Sequence, residues 1–491
     1  MNADCSPVTF IGLDGAEPTL LRRWMADGTL PVLAGIAASG TCRDVETLPG
    51  MGDGATWPTL ICGAGPARHG RYFRRQIRCG SHERYLFDVQ NDFACTPFWE
   101  PASKAGRKVA ILDLPYSPAV PDLNGVQITD WLIHDRYGAV RGHPKAFVTD
   151  VLAEFGDDPL EGDSDRYRRA DDCMEHVLDL LIQRVQMKAS LVRKVVEGDR
   201  FDLLATSFTE AHDAGHLMWH LHDPMHPRHD AAWRTAHGDP IRRLYQEMDA
   251  AIGRILEDAE PSGTVALFAG LGMGPNYTAN NVLETVVNRL DGRKPPARVR
   301  KRLQSMGAPA PVLKLGGRLD NVLRHRSESG ARFFALPHNE NSGAIRINLE
   351  GREPHGRVCP EDFEQTCDEI ADAFKELVNP ETGRPVVEEV VKISEHYTGE
   401  RRVDLPDLLV VWRRSEPFSA IYSPRVGRIE DAGSWGRTGD HTANAMLILR
   451  GPAGKLASCR QRVRVVDVAP TISAMLGVPM PDVEGTPICE R

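Results

Sequence analysis

The chain lacks several features that would place it in particular protein classes. It has no run of about eighteen apolar residues, so no segment is predicted to span a membrane. Its start lacks the basic and apolar segments of a secretion signal. Its ten cysteines include no Cys-x-x-Cys pair, which favours reduced thiols over a disulfide framework. A net charge of −9 argues against general nucleic-acid binding. These absences together predict a cytoplasmic protein that binds neither membranes nor nucleic acids.

Length and composition suit one large globular domain. The chain has 491 residues, of which 41% are hydrophobic and 26% are charged, and these values are ordinary for globular proteins. Large α/β enzymes reach this length through insertions into one core. We therefore expect a single domain over residues 1–491.

A histidine-rich stretch from Phe208 to His220 is the first candidate for a functional site. It follows a short apolar run, which predicts a buried strand. On a helix, His212 and His216 would share a face and could hold one divalent metal together with a third ligand. The alternative is a surface turn with several histidines, since His220 and His222 lie nearby.

The first predicted strand begins at Val8 and ends at Asp14. In an open α/β sheet, ligands bind beyond the carboxyl ends of the strands, so Asp14 is well placed for chemistry. Asp14 could also cap a helix that starts near Glu17, and the two roles are compatible.

A third candidate is the segment that contains Thr56-Trp-Pro. Pro58 is typical of the first turn of a helix, so the residues before it would lie at a positively polarised helix N-terminus. A nucleophile that attacks an anionic ester is favoured at such a place.

In this order, the motifs resemble the alkaline phosphatase superfamily, and most closely its type I phosphodiesterase/nucleotide pyrophosphatase branch. The segments that carry the resemblance are Asp14, the Gly-x-x-Pro-x-x-His-Gly block from Gly63 to Gly70, the strand from Arg107 to Pro115, the segment from Asn341 to Gly356, Thr438-Gly-Asp-His-Thr, and the closing helix from Val466 to Pro479. The resemblance implies an α/β fold with an alkaline-phosphatase-like core. In that core a mostly parallel central sheet is flanked by helices on both faces, and the chain adds a helical insertion.

The superfamily uses two metal ions, usually zinc. Carried over to this sequence, the first site consists of His212, His216 and His441, with His212 standing where the family usually has Asp. Three neutral ligands would leave the ion its full charge and an open fourth position, which makes a strong Lewis acid. Asp213 is an alternative carboxylate ligand, although its direction on a helix differs by about 100°.

The second metal site of the family is incomplete in this sequence. The family holds that ion with the first-strand Asp, the nucleophile, and an Asp-His pair at the end of a middle strand. Asp14 is retained, but Gly270 and Leu271 stand where the pair is expected, and neither side chain can bind a metal. We therefore predict one zinc ion and leave a second ion open.

Two residues compete for the nucleophile position of the family. The family has Thr, Ser or sometimes Cys two residues before a Pro, and Thr56 matches this pattern. An ungapped match to the Gly63–Gly70 block instead puts Asp53 there. A three-residue deletion is nearly one helical turn and would preserve the helix face, so both assignments stand. We favour Thr56; Asp53 could bind a hard cation together with Asp14 or act as a base towards water.

Residues 277–338 are rich in Arg and Lys and are predicted to form an inserted helical segment that covers the site as a cap. A solvated face explains such charges, but in this position they would also suit an anionic substrate. The alternative anion contacts are Arg68, His69, Arg74 and Arg75, just after the nucleophile segment. The sequence assigns no substrate-binding residue.

Two functions from different classes follow from these observations. The first is a metal-dependent hydrolase or transferase that acts on a phosphodiester, a phosphomonoester or a related small anionic ester. The second is a repurposed, non-catalytic family member that binds a small anionic ligand. The three histidines favour the first, whereas Gly270 and Leu271 favour the second.

Overall fold

The structure is a computed structural model. It describes residues 6–134, 136, 138–161, 164–167, 173–259, 263–296, 299–339, 341–430, 436–451 and 462–489.

The strands are β1 (Val8–Asp14), β2 (Thr41–Glu46), β3 (Arg75–Ile77), β4 (Arg84–Leu86), β5 (Val109–Leu112), β6 (Gly125–Thr129), β7 (Arg141–His143), β8 (Leu203–Phe208), β9 (Thr264–Gly270), β10 (Met273–Pro275), β11 (Phe333–Leu336), β12 (Ser342–Ile347), β13 (Val387–Lys392), β14 (Leu408–Trp412), β15 (Ala420–Ser423), β16 (Gly427–Glu430), β17 (Gly439–His441), β18 (Ala445–Arg450) and β19 (Val463–Arg464). The α-helices are α1 (Pro18–Ala26), α2 (Pro31–Ala38), α3 (Asp53–Cys62), α4 (Pro66–His69), α5 (Val89–Asp92), α6 (Trp99–Lys104), α7 (Lys145–Phe155), α8 (Met174–Gly198), α9 (Glu210–His222), α10 (Ala231–His237), α11 (Pro240–Asp258), α12 (Leu283–Leu290), α13 (Val299–Ser305), α14 (Ala310–Ser329), α15 (Phe363–Lys375), α16 (Ile393–His396) and α17 (Val468–Met475).

The described strands build a nine-stranded central sheet in the order β19-β2-β18-β9-β1-β8-β5-β6-β7. The five neighbouring strands β9, β1, β8, β5 and β6 are all parallel, while β18 and β7 run antiparallel to their neighbours. In this register Asp14 lies opposite Gly270. The predicted mostly parallel α/β sheet is confirmed.

Helices cover both faces of this sheet, because the buried strands alternate apolar side chains between two cores. In β1, Ile11 and Leu13 enter the core formed with α1, α2, α8, α9 and α11. Val8 and Phe10 enter the opposite core, which α3, α6 and α17 complete. This layering positions α9 and α3, the two helices that carry most of the candidate site residues.

A second, antiparallel sheet has the order β11-β12-β14-β13 and packs on α12 and α15. The loop between β11 and β12 brings Asn339 to the N-terminus of α3, where the Asn339 amide hydrogen bonds to Asp53. This sheet therefore contributes directly to the candidate site.

Residues 277–338 contain α12, α13 and α14 and run into β11. Its described residues are mostly helical; that the segment is an insertion and a cap stays a prediction.

The cysteines only partly follow the expectation of reduced thiols. Those at 42, 62, 79, 95, 173, 359 and 367 are free, but Cys489 is disulfide-bonded.

Among the described residues, no helix combines the length and apolar character needed to cross a bilayer.

Candidate active site

The candidate site lies at the carboxyl edge of the central sheet. Asp14 is the last residue of β1, and His212 and His216 lie on α9, directly after β8. His441 ends β17, which pairs with β10 just beyond β9. Because the strands are parallel, residues that are far apart in sequence meet at one edge.

Two glycines allow this close approach. Gly15 has φ +70°, and a Cβ there would lie 2.4 Å from the Cα of His212, so another residue would push α9 away from β1. Gly12 leaves room for the Trp57 ring, since a Cβ there would lie 2.3 Å from that ring.

The three predicted histidine ligands form one buried cluster. Ring centroids are 4.6 Å apart for His212 and His216, 4.6 Å for His212 and His441, and 5.1 Å for His216 and His441. One ring nitrogen from each lies within 4.8 Å of the others, a spacing that could hold a metal ion.

Backbone carbonyls orient two of these rings. His216 Nδ1 lies 2.8 Å from the Gly439 carbonyl oxygen, and His441 Nδ1 lies 3.2 Å from that of Leu271. A nitrogen beside a carbonyl must donate its proton, so both neutral rings present Nε2 as the lone-pair atom. Nε2 of His441 is buried and forms no hydrogen bond.

The protein environment keeps these imidazoles neutral. Burial, together with the nearby His212, lowers the pKa of His441 to about 4. Burial and the guanidinium of Arg437, whose Nη1 is 3.3 Å from His216 Nε2, hold the pKa of His216 well below its usual value. Neutral imidazole is the form that binds metals.

Asp14 faces two histidines with one oxygen and a tryptophan with the other. Its Oδ2 lies 3.2 Å from His134 Nδ1 and 3.3 Å from His212 Nδ1. Its Oδ1 accepts a 2.7 Å hydrogen bond from Trp57 Nε1. Burial raises the pKa of Asp14, but His134 and His212 outweigh burial, so the net pKa is lowered and the carboxylate is ionised at neutral pH.

Asp53 stands at the first position of α3 and points into the same site. Its Oδ2 accepts a 2.6 Å hydrogen bond from the Tyr116 hydroxyl and lies 3.4 Å from His134 Nε2. Its Oδ1 accepts from the Asn339 amide and lies 3.9 Å from His441 Nε2. Burial raises the pKa of Asp53, but the hydrogen bond with His134 and the nearby imidazoles of His441 and His212 bring it well below its usual range.

Thr56 does not join this cluster through its hydroxyl, which donates a 2.9 Å hydrogen bond to the Gly52 carbonyl within the first turn of α3. The helix begins at Asp53, earlier than Pro58 suggested, and Pro58 lies inside it. A proline at this position cannot donate to the carbonyl four residues back. Arg71 Nε satisfies that carbonyl, on Gly54, at 2.9 Å.

Sequence reasoning missed His134, Tyr116 and Asn339. His134 follows β6, and its ring stacks on His212 with centroids 3.6 Å apart. Asp14, His134 and His212 form a second group whose ligand atoms lie within 4.8 Å of one another. Tyr116 has φ +53°, an uncommon conformation for a side-chain-bearing residue that tends to occur at functional sites. The one sequence signal for His134 is its position after a strand.

Two other residues named from the sequence have structural partners. Asp213 accepts hydrogen bonds from Ser164 at 2.7 Å and from Arg184 at 2.8 Å. His69 is buried and pairs with the Thr59 hydroxyl at 2.9 Å. Asp213 and His69 are thus engaged outside the cluster.

Comparison with known proteins identifies the family. The family model of the type I phosphodiesterases/nucleotide pyrophosphatases matches residues 8–428. The chain belongs to this family. A comparison with curated protein sequences found no match.

Solved structures of similar fold include a phosphonoacetate hydrolase from Sinorhizobium meliloti in complex with phosphonoformate. It is 13% identical, covers 96% of both chains and superposes with a TM-score of 0.55. Human ectonucleotide pyrophosphatase/phosphodiesterase 5 is 13% identical, with coverage of 98% of this chain and 97% of the other and a TM-score of 0.50. At this identity the likenesses establish the alkaline-phosphatase-like fold.

The end of β9 is the place where the family resemblance predicts an Asp-His pair. Gly270 and Leu271 offer no ligand there, and a Cβ on Gly270 would meet the Phe268 ring at 2.2 Å. The rings of Phe268 and Trp57 pack edge-to-face with centroids 5.9 Å apart. The Trp57 ring therefore lies between the Phe268 ring and the Asp14 carboxylate, to which its Nε1 donates.

Proposed function

We propose that the protein is a metal-dependent hydrolase of a phosphodiester, phosphomonoester or related small anionic ester, and that it uses one zinc ion. His212, His216 and His441 would hold the ion, and three imidazoles are a donor set that suits zinc.

The observation that supports this proposal most is the convergence of three buried imidazoles with ionised carboxylates in one site. His441 Nε2 is buried and forms no hydrogen bond, and Asp14 Oδ2 and His212 Nδ1 face each other at 3.3 Å without forming one. Buried polar atoms that lack hydrogen bonds cost free energy, and a cation bound among them would offset that cost.

Asp53 is the residue that we propose for proton transfer. A bound divalent ion would supply Lewis-acid stabilisation of the charge on the phosphoryl oxygens. Asp53, ionised and 3.9 Å from His441 Nε2, would accept the proton of the attacking water. The Tyr116 hydroxyl and the Asn339 amide hold the Asp53 carboxylate in one orientation. We therefore replace Thr56 with Asp53 as the preferred catalytic residue, and Thr56 becomes the alternative.

His134 would compensate for the missing second ion. It lies between the carboxylates of Asp14 and Asp53, with Nδ1 3.2 Å from one and Nε2 3.4 Å from the other. An imidazole at this position separates two buried carboxylates, whose negative charges would repel each other if they met directly. Its ring is stacked nearly parallel to His212, at 18°. The in-plane lone pairs of stacked rings do not converge on one ion, so His134 is assigned to the carboxylates.

Elemental analysis combined with ester hydrolysis tests this proposal. The purified protein should carry close to one zinc ion per chain and hydrolyse bis(p-nitrophenyl) phosphate, and His441→Ala should lose both. His220→Ala is the control: it removes a buried histidine from α9, the helix that carries His212 and His216, and its Nδ1 lies 3.0 Å from the Thr438 hydroxyl. The control should keep its zinc.

The non-catalytic alternative draws support from Gly270, Leu271 and the Trp57 bond to Asp14. It predicts binding of small anions with no turnover of any ester. Zinc bound at one per chain without hydrolysis of phosphodiesters, phosphomonoesters or phosphonates would favour it. Full zinc content in His441→Ala would refute the metal assignment itself.

A further inference from the structure

A groove with positively charged walls lies between α13, α14 and β3. Its volume is about 490 Å³, and its polar and small lining residues are Arg75, Arg300, Lys314, Gly317, Arg318 and Asn321. The lining includes four cationic side chains and no acidic one. Such a cavity concentrates positive potential and attracts anions.

The sequence of α14 builds one wall of this groove. Lys314, Gly317, Arg318 and Asn321 recur at spacings of three, four and seven residues, so they lie on one helix face. Gly317 adds no side chain, which keeps the space open. Gly316 lets α13 pack closely, since a Cβ there would lie 2.8 Å from Leu303 Cδ1.

The nearest acidic residue on α14 is already engaged. Asp320 accepts hydrogen bonds from the backbone N–H groups of Val299 at 2.6 Å and Arg300 at 3.0 Å. Its carboxylate therefore caps α13.

The four cations of the groove form no ion pair with a carboxylate in the part of the chain that the structure describes. The arginines of another cavity, by contrast, do form ion pairs. Arg332 lies 3.1 Å from Glu369, and Arg425 lies 3.0 Å from Glu376. Like charges that face one cavity repel one another, and a bound anion would relieve that repulsion.

The groove and the candidate active site share one short segment of chain. The Arg71 guanidinium lies 4.3 Å from the centroid of the Tyr116 ring, whose hydroxyl donates to Asp53. Arg75, four residues later, lines the groove. Four residues of fully extended chain span at most about 14 Å, so the Cα atoms of Arg71 and Arg75 lie no farther apart than this.

We propose that this groove binds a second, phosphate-like anionic group of the ligand whose ester lies at Asp53 and the histidine cluster. The inference rests on the proposed function, because the ligand is taken to be the substrate that the protein hydrolyses. It narrows the substrate class to esters that carry a further dianionic group besides the reacting phosphorus.

Calorimetric binding of two probes tests the groove directly. Thymidine 3′,5′-bisphosphate should bind the purified protein at least roughly tenfold more tightly than thymidine 5′-phosphate, because the extra phosphate meets several cations. In the double variant Arg300→Glu, Arg318→Glu this preference should vanish. Gly317→Leu should weaken it without a change of net charge, because the side chain fills the groove.

Arg425→Glu is the matched control, since it reverses an exposed arginine of the other cavity and should leave the preference intact. Equal affinity of the native protein for both probes, or a preference that survives in the double variant, would overturn the groove assignment.

Hydrolysis separates this inference from the proposed function. In the native protein, the p-nitrophenyl 5′-ester of thymidine 3′,5′-bisphosphate should show a lower KM than the ester without the 3′-phosphate. A preference in binding without hydrolysis of any ester would support the anion site and refute the proposed function. Hydrolysis with equal KM values and equal affinities would refute the anion site alone.

Discussion

Replacing Asp53 and Thr56 one at a time decides which of them carries the chemistry. Asp53→Asn keeps the shape of the side chain but removes its charge. The substitution also turns one carboxylate oxygen, which accepts, into an NH2 group, which donates. That group would face a donor in either orientation: the Tyr116 hydroxyl, which lies 2.6 Å from Oδ2 in the native protein, or the Asn339 amide. Loss of a general base typically lowers kcat by about 10²- to 10⁴-fold. We expect a loss in this range.

Thr56→Val should behave differently, because the Thr56 hydroxyl bonds to Gly52 within its own helix at 2.9 Å. Losing such a hydrogen bond costs about 0.5–1.5 kcal/mol of stability, and kcat should stay within about threefold of the native value, since no reacting group is touched. Thr56→Ser keeps a hydroxyl and serves as the control.

The assay is hydrolysis of bis(p-nitrophenyl) phosphate with added zinc, recorded as kcat and KM for each folded variant. Thermal unfolding midpoints establish that the variants are folded. If Thr56→Val abolishes turnover while Thr56→Ser restores it, and Asp53→Asn retains activity, then Thr56 is the nucleophile. The reasoning from the Asp53 contacts would then be wrong.

Three further predictions concern stability and the remodelled site. Burial, with the nearby Arg71, lowers the pKa of His69 from 6.5 to about 3. The free energy of unfolding should therefore decrease as the pH drops from 6.5 towards 3, and at pH 5 it should be about 2 kcal/mol lower than above pH 6.5. Urea unfolding should show that His69→Gln flattens this dependence, and an unchanged slope would contradict it. Gly270→Asp should cost about 1–3 kcal/mol, since its Cβ meets the Phe268 ring, and elemental analysis should find no second ion; a second ion would contradict the one-ion site. His134→Ala should lower kcat by roughly tenfold or more with unchanged zinc content, and native kcat would show that His134 is dispensable.

The sequence predicted what depends on local spacing and on strand order. His212 and His216 are four residues apart on one helix, and Asp14 ends a short apolar strand, so both features could be read directly. His441 could be placed only through the family resemblance, because it is more than two hundred residues away from the other ligands.

The sequence did not predict contacts that come from loops. Tyr116 and Asn339 reach Asp53 from the loop after β5 and from the second sheet, and no spacing rule connects them with α3. The choice between Thr56 and Asp53 depended on the spacing to the Gly63–Gly70 block, which allowed both. Pro58 suggested that α3 starts later than it does. A proline inside a helix leaves one carbonyl without its usual donor, and here Arg71 supplies the donor. Arg71 follows the helix and two glycine-capped turns, so the sequence did not reveal this contact.

The aromatic residues beside β9 and His134 after β6 act on the same carboxylate in the proposed site. Trp57 Nε1 donates to one oxygen of Asp14, at 2.7 Å, and the Trp57 ring packs against Phe268. The other oxygen of Asp14 lies 3.2 Å from His134 Nδ1. A Cβ at Gly270 would meet the Phe268 ring at 2.2 Å. Introducing ligands on β9 alone would leave both aromatic rings in place, so we expect a second ion site to require changes at Trp57 and Phe268 as well.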